Sequence, residues 1–179
     1  GRLRAATRWE DFLAEGAGAL ELEQVAFDHP LWVLYSSGTT GLPKAIVHGH
    51  GGILLEHCKN LGLCFDIHRG DRVLWFTTTA WMMWNALVSN LVLRASILLI
   101  DGNPGYPDVS FQWRLAEETR ATFMGLSPAF TMACRKEGLE PGRSFDLSSI
   151  RTVAEAGSPL PPEGYAWLYQ QLGADLFLN

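Results

Sequence analysis

Between Tyr35 and Lys44 the chain reads Tyr-Ser-Ser-Gly-Thr-Thr-Gly-Leu-Pro-Lys, which places four Ser and Thr hydroxyls, two glycines and a lysine within ten residues. That combination suits a loop that holds phosphate. Successive backbone N–H groups in a turning, glycine-punctuated segment form an anion-binding concavity, and the hydroxyls of Ser36, Ser37, Thr39 and Thr40 add movable donors around it. Gly38 and Gly41 permit positive φ and a close approach, Pro43 stiffens the exit, and Lys44 supplies the charge. The stretch is not a Walker A loop. That loop requires G-x-x-x-x-G-K-[ST] running into a helix, whereas here Gly38 and Gly41 are three apart, Ala45 stands where a magnesium-binding hydroxyl would follow the lysine, and Ala45-Ile46-Val47 reads as a strand. A plain Ser/Gly surface turn is the simpler alternative.

The elements that must position this loop follow from hydrophobic periodicity. Thr7 to Glu15 reads as a short helix capped by Thr7, with Glu10 closing a capping box, and a Gly/Ala/Glu-rich linker follows. Leu31 to Tyr35 and Ala45 to Val47 are short apolar, partly β-branched runs, so the loop is expected to join two strands. Beyond it the pattern predicts helix 51–65, strand 72–76, helix 82–93, strand 96–100, helix 111–119, strand 121–125, helix 128–137, strand 150–154, helix 162–172 and strand 174–178. Such alternation implies βαβ units with right-handed crossovers. The expected class is therefore α/β, a mostly parallel, doubly wound sheet. We divide the chain into an N-terminal helix and linker, 1–30, and an α/β unit, 31–179. Ligands of such sheets gather beyond the strand C-termini, and each distinctive motif follows a predicted strand: SSGTTGLPK, TTTAW, DGNP, GLSP and AGSPL.

Composition narrows the function. A net charge of −5 argues against a nucleic-acid partner. No apolar run reaches the roughly 18 residues that span a bilayer, so neither a membrane partner nor a signal peptide is expected, and a cytoplasmic location is. Cys58, Cys64 and Cys134 contain no C-x-x-C pair and are expected to be reduced, buried thiols. His48 and His50 lack a third ligand nearby, so no metal site is assigned to them.

SSGTTGLPK, preceded by Tyr35 and followed by Ala-Ile-Val-His, resembles the signature loop of the adenylate-forming acyl-CoA synthetase/luciferase superfamily. TTTAWMMWN (77–85), DGNPGYPD (101–108) and AGSPLPPE (156–163) are similar to the acetoacetyl-CoA synthetase branch in particular, and the resemblance runs from Trp9 onward. It implies a piece of a large N-terminal adenylate-forming domain, in an enzyme that uses ATP to turn a short acid, acetoacetate foremost, into an acyl-adenylate and then into a coenzyme A thioester. Acetate and propionate are alternative acids, and a non-catalytic nucleotide-binding module is an alternative function.

Residue by residue, the resemblance implies that Ser36, Ser37, Gly38, Thr39, Thr40, Gly41 and Lys44 hold the phosphates, with Thr40 and Lys44 acting in catalysis. Gly157, Ser158 and Pro159 would border the adenine, although turn chemistry between strand and helix would select much the same residues. Trp81, Met83, Trp84 and Asn85 would wall the acid pocket, Asn85 facing a keto oxygen. Equally, Trp81 and Trp84, at i and i+3, could be a helix packing on the sheet. The loop holding Gly105 would lie near coenzyme A. Glu155 stands where the branch usually carries a small or hydroxyl residue. The carboxylates that position Mg²⁺ and the ribose, and the lysine of a mobile C-terminal domain, would follow Asn179, so the 179-residue chain alone is expected to show no turnover.

Overall fold

The computed structural model describes residues 7–14, 18–36 and 41–179. A short helix α1, Trp9–Ala14, precedes a hairpin of β1, Pro30–Ser36, and β2, Lys44–Gly49. The two strands are antiparallel, with Ser36 opposite Lys44 and Val33 opposite Val47. Helix α2, His50–His57, runs directly on into a π-helical segment, Cys58–Cys64. The single helix expected over 51–65 is therefore present but widened, as the bond from Phe65 N–H to the Asn60 carbonyl at 3.0 Å shows.

A second sheet carries the rest. Its strands are β3, Arg72–Trp75; β4, Ser96–Leu98; β5, Phe123–Leu126; β6, Thr152–Glu155; and β7, Phe177–Leu178. They lie in the order β4-β3-β5-β6-β7, all parallel. The crossovers are α3, Met83–Ser89, with a 3₁₀ turn over Asn90–Leu93; α4, Phe111–Thr119; α5, Pro128–Lys136, with the short α6, Pro141–Ser144; and α7, Pro162–Leu172. Local chemistry sets several boundaries. Ser127 caps α5 by accepting from Phe130 N–H at 3.2 Å, with Pro128 in the first turn. Pro162 opens α7, and Gly173, at φ 103°, ends it.

Strand alternation sorts the core into two layers. Leu74, Met124 and Val153 pack with Trp113 of α4, Cys134 of α5 and Leu168 of α7. Val73, Trp75, Phe123 and Ala154 face the other way, onto Leu61 and Leu87. Helices thus cover both faces, as a doubly wound sheet requires. Chain direction reverses between β3 and β5: β3 leads outward to β4, and the chain then crosses back to lay β5 on the other side of β3.

Three expectations change. The phosphate-loop strands form their own antiparallel hairpin rather than joining the parallel sheet, because their hydrogen bonds are satisfied by each other. The last strand is two residues long rather than five, since a turn after Gly173 carries the chain to Leu176 before pairing begins. Cys134 is buried, but Cys58 is only partly so and Cys64 is exposed.

Candidate functional site

Two cavities open at the C-terminal edge of the parallel sheet, divided by Trp75 at the end of β3. The first, of about 240 Å³, lies between the α2–π segment, α3 and the end of β6; its lining includes His57, Asn60, Met82, Met83, Asn90 and the run Ala154–Ala156. The second, of about 440 Å³, lies in the crevice between β3 and β5 and is lined by Thr77, Thr78, Trp81, Pro104, Ser127 and Phe130 among others. This crevice is the point where strand order reverses, the usual ligand position in an open α/β sheet. Trp75 lines both cavities. It can lie flat on β5 because residue 125 is glycine: a Cβ there would come within 1.9 Å of the indole.

The sequence-predicted residues are distributed among these features. Ser37, Gly38, Thr39 and Thr40 lie outside the described residues. Ser36 and Lys44 face each other across the mouth of the hairpin, both exposed, and Gly41 has φ 141°, a conformation that only glycine adopts readily. Gly157, Ser158 and Pro159 form an exposed bend after β6. Gly157, at φ 116°, has open space where a Cβ would stand, so conformation and not crowding selects the glycine. Met83 lines the first cavity and Trp81 the second, whereas Trp84 and Asn85, half-buried on α3, line neither. The Asn85 carbonyl instead accepts from the Ser89 hydroxyl at 2.9 Å. Gly105 donates its N–H to the Asn103 side chain at 2.8 Å within an exposed turn.

Polar groups around the first cavity went largely unread in the sequence. Burial pushes the Glu155 carboxyl up to about 7, although the Thr131 hydroxyl donates to Oε1 and works in the opposite direction. Oε2 is buried without a hydrogen-bond partner. The Glu155 backbone is fixed on both sides, its N–H donating to the Asn179 carbonyl at 2.8 Å and the next N–H, of Ala156, to the Leu126 carbonyl at 3.1 Å. Asn90, 2% exposed, donates from Nδ2 to the carbonyls of Ala86 and Leu87 at 3.1 and 2.9 Å, and its Oδ1 has no partner. His57 Nδ1 meets Ser89 Oγ at 2.5 Å. Burial, with neighbouring His48 as a second cause, holds the His57 pKa below its ordinary value against the opposing pull of Glu56. No local pattern marks Asn90, whose one signal is a polar residue inside an otherwise apolar helix, whereas Glu155 stands out in the sequence as a departure from the residues usual in the resembled branch.

His48, opposite Trp32 on the hairpin, accepts from the Trp32 indole at 2.9 Å, and His50 meets the His29 carbonyl at 2.8 Å. Among the described residues no three His, Cys, Asp or Glu side chains converge on a point where a metal ion would sit, and no helix is long and apolar enough to cross a membrane.

Comparison with known proteins accounts for this arrangement. The AMP-binding enzyme family matches residues 4–179. An acetoacetyl-coenzyme A synthetase of Rhizobium meliloti is 44% identical over 94% of this chain and 26% of its own length. A solved acetoacetyl-CoA synthetase from Streptomyces lividans is 57% identical, with a TM-score of 0.86 over 95% of this chain and 27% of that one. A luciferase-like enzyme from the mealworm Zophobas morio is 24% identical and has a TM-score of 0.68 over 86% of this chain and 34% of its own; it speaks for the fold alone. The chain thus spans about a quarter of the length of the synthetases it matches. A sheet wound on both faces, cavities at its C-terminal edge and a match along almost the whole sequence together establish that this chain belongs to the AMP-binding enzyme family.

Proposed function

We propose that the protein carrying this chain is an AMP-forming acid–thiol ligase that activates a short acid, acetoacetate foremost, with ATP and transfers it to coenzyme A in the cytoplasm. The observation that carries this reading is the first cavity. At about 240 Å³ it falls below the roughly 300–1,000 Å³ of sites for drug-sized ligands. It is walled by Met82 and Met83 on one side and by Ala154 to Ala156 on the other, and the exposed Gly157 bend follows directly. A small apolar chamber beside a backbone bend suits a four-carbon acid lying next to a nucleotide. The two synthetases reported above are named for the same acid.

In this reading residues 31–179 are part of the adenylate-forming domain and residues 1–30 lead into it. A carboxylate oxygen of the acid attacks the α-phosphorus of ATP as the bond to pyrophosphate breaks. The thiol sulfur of coenzyme A then attacks the acyl carbon, the bond to AMP breaks, and the thiol proton passes to solvent. Lys44 and the donors of Ser36, Ser37, Gly38, Thr39, Thr40 and Gly41 meet the negative charge that grows on pyrophosphate. Donors that meet growing charge favour the transition state over the ground state. Gly157, Ser158 and Pro159 give the purine a surface without side-chain bulk. Met83 walls the acid, Trp81 stands at the neighbouring crevice, and Trp84 and Asn85 continue the same helix behind them. Mg²⁺ would accompany ATP; the described residues supply no cluster to hold it.

The test is ATP–pyrophosphate exchange in the full-length protein with acetoacetate as the acid. Thr40→Val and Lys44→Ala should each slow exchange roughly a hundredfold, the usual loss for one donor of this kind, and should weaken ATP binding less. Wild-type exchange rates in both variants would remove the loop from the reaction.

A further inference from the structure

The hydrogen bonds around the first cavity can be followed proton by proton. Asn90 Nδ2 lies against two backbone carbonyls, Ala86 O at 3.1 Å and Leu87 O at 2.9 Å. A carbonyl only accepts, so the NH₂ group must occupy that side and the amide cannot be flipped. What remains is Oδ1, an acceptor buried without a partner in a side chain that lines the cavity. The same logic fixes His57. The Ser89 hydroxyl has one proton, which it donates to the Asn85 carbonyl at 2.9 Å. The contact between His57 Nδ1 and Ser89 Oγ therefore has the imidazole as donor. The ring, kept neutral by burial, then carries its proton on Nδ1 and a lone pair on Nε2. Asn90 thus has an unused acceptor and His57 a second one, and both residues line the chamber with the polar Asn60 and Glu155 and the apolar Leu61, Phe65, Met83 and Leu87.

A buried acceptor without a partner is costly, because it has lost its water and gained nothing in exchange. The Nδ2 bonds to Ala86 and Leu87 close the end of α3, but they leave Oδ1 unused. We propose that Asn90 and His57 determine acid specificity: they accept from a hydrogen-bond donor carried by the third carbon of the bound acid. A carboxamide NH₂ has a proton for each of them, a hydroxyl gives its single proton to Asn90 Oδ1, and a keto oxygen is reached through one trapped water that gives one proton to it and the other to Asn90 Oδ1. The preferred substrates are then short acids with a polar group at that carbon, and the fully apolar acid of the same length is rejected because it leaves Asn90 Oδ1 unpaired. This rests on the assignment of the first cavity to the acid.

The experiment compares butyrate, acetoacetate, 3-hydroxybutyrate and malonamate, four acids of similar size, in the full-length protein. Pyrophosphate exchange is measured alongside calorimetric binding, which needs no turnover. The wild type should favour the three polar acids over butyrate by roughly tenfold or more in kcat/KM and in affinity. Asn90→Leu should bring the ratio close to one, chiefly by improving butyrate. His57→Leu, which leaves the Asn90 bonds to the helix intact, should lower it in the same direction and covers the case in which Asn90→Leu does not fold. A wild-type ratio retained in either folded variant, or no polar preference in the wild type, overturns the proposal. Preference for 3-hydroxybutyrate and malonamate over acetoacetate marks direct donation, and equal preference marks the water. If no acid supports exchange, the ligase reading fails, while the binding ratios still decide this one.

Discussion

The two edges of the parallel sheet treat buried polar groups in opposite ways. At the N-terminal edge Asp71, 2% exposed, receives a paired contact from Arg151 at 2.8 and 3.1 Å, the Thr122 hydroxyl at 2.8 Å and the His68 N–H at 2.9 Å. Burial alone would push its carboxyl up, but these partners outweigh burial and hold it below its ordinary value. Asp71, Thr122 and Arg151 stand just before β3, β5 and β6, so one carboxylate ties three strand starts together. At the C-terminal edge Glu155 has one donor and an unpaired oxygen, and nearby Asn90 has another. Polar groups that serve folding are fully satisfied by the chain. Those left open lie where the chain has cavities, and a ligand can complete them.

This contrast is broken most severely at the satisfied edge. Asp71→Ala leaves Thr122 and the 43% exposed Arg151 side chain without their shared acceptor; breaking a fully buried pair costs about 3–5 kcal/mol, and solvent around Arg151 brings the loss below that range. Chemical denaturation of the full-length protein should show that loss in the unfolding step of this domain, while kcat per folded molecule stays close to wild type because no cavity is touched. A collapse of kcat without loss of stability would place Asp71 in the reaction instead.

At the open edge the expected effects fall on specificity. Met83→Ala enlarges the first cavity and should admit longer acids, each added methylene gaining up to about 0.8 kcal/mol when buried. Trp84→Ala should shift chain-length preference less, since its indole does not line that cavity, and should lower the melting temperature through lost packing. Exchange rates over a series of straight-chain acids rank the two. A larger shift for Trp84→Ala would place the acid on the other side of α3.

A separate effect at the open edge concerns pH. The folded Glu155 carboxyl titrates at about 7 against an ordinary value of 4.5. Between those values the folded state holds a proton that the unfolded chain has released, so its contribution to stability is complete below 4.5 and lost as pH rises to about 7. Glu155→Gln should remove that fall, leaving melting temperature flatter across the interval. Asp71 works in the opposite sense: its lowered pKa gives stability that is present above the ordinary carboxylate range and lost as pH falls through its folded value. Equal pH slopes in the wild type and Glu155→Gln would show that the carboxyl ionises freely.

Sequence by itself determined the alternating α/β order, because period-two and period-3.6 patterns impose strands and helices whatever surrounds them. Helices α4 and α7 begin and end where their patterns predict. It also determined the family, since a ten-residue loop of hydroxyls, glycines and a lysine is too specialised to arise from folding needs alone. Tertiary structure decided the rest. Hairpin or parallel partner for β1 and β2 is a choice between the neighbouring strand and strands far along the chain, and the short apolar runs do not decide it. The same holds for the chamber. Met83 and Asn90, His57, and Glu155 are drawn from three separate segments, and an asparagine inside a helix reads as an ordinary polar residue until packing buries it. Only then does the count of donors and acceptors around Asn90 show one oxygen left over.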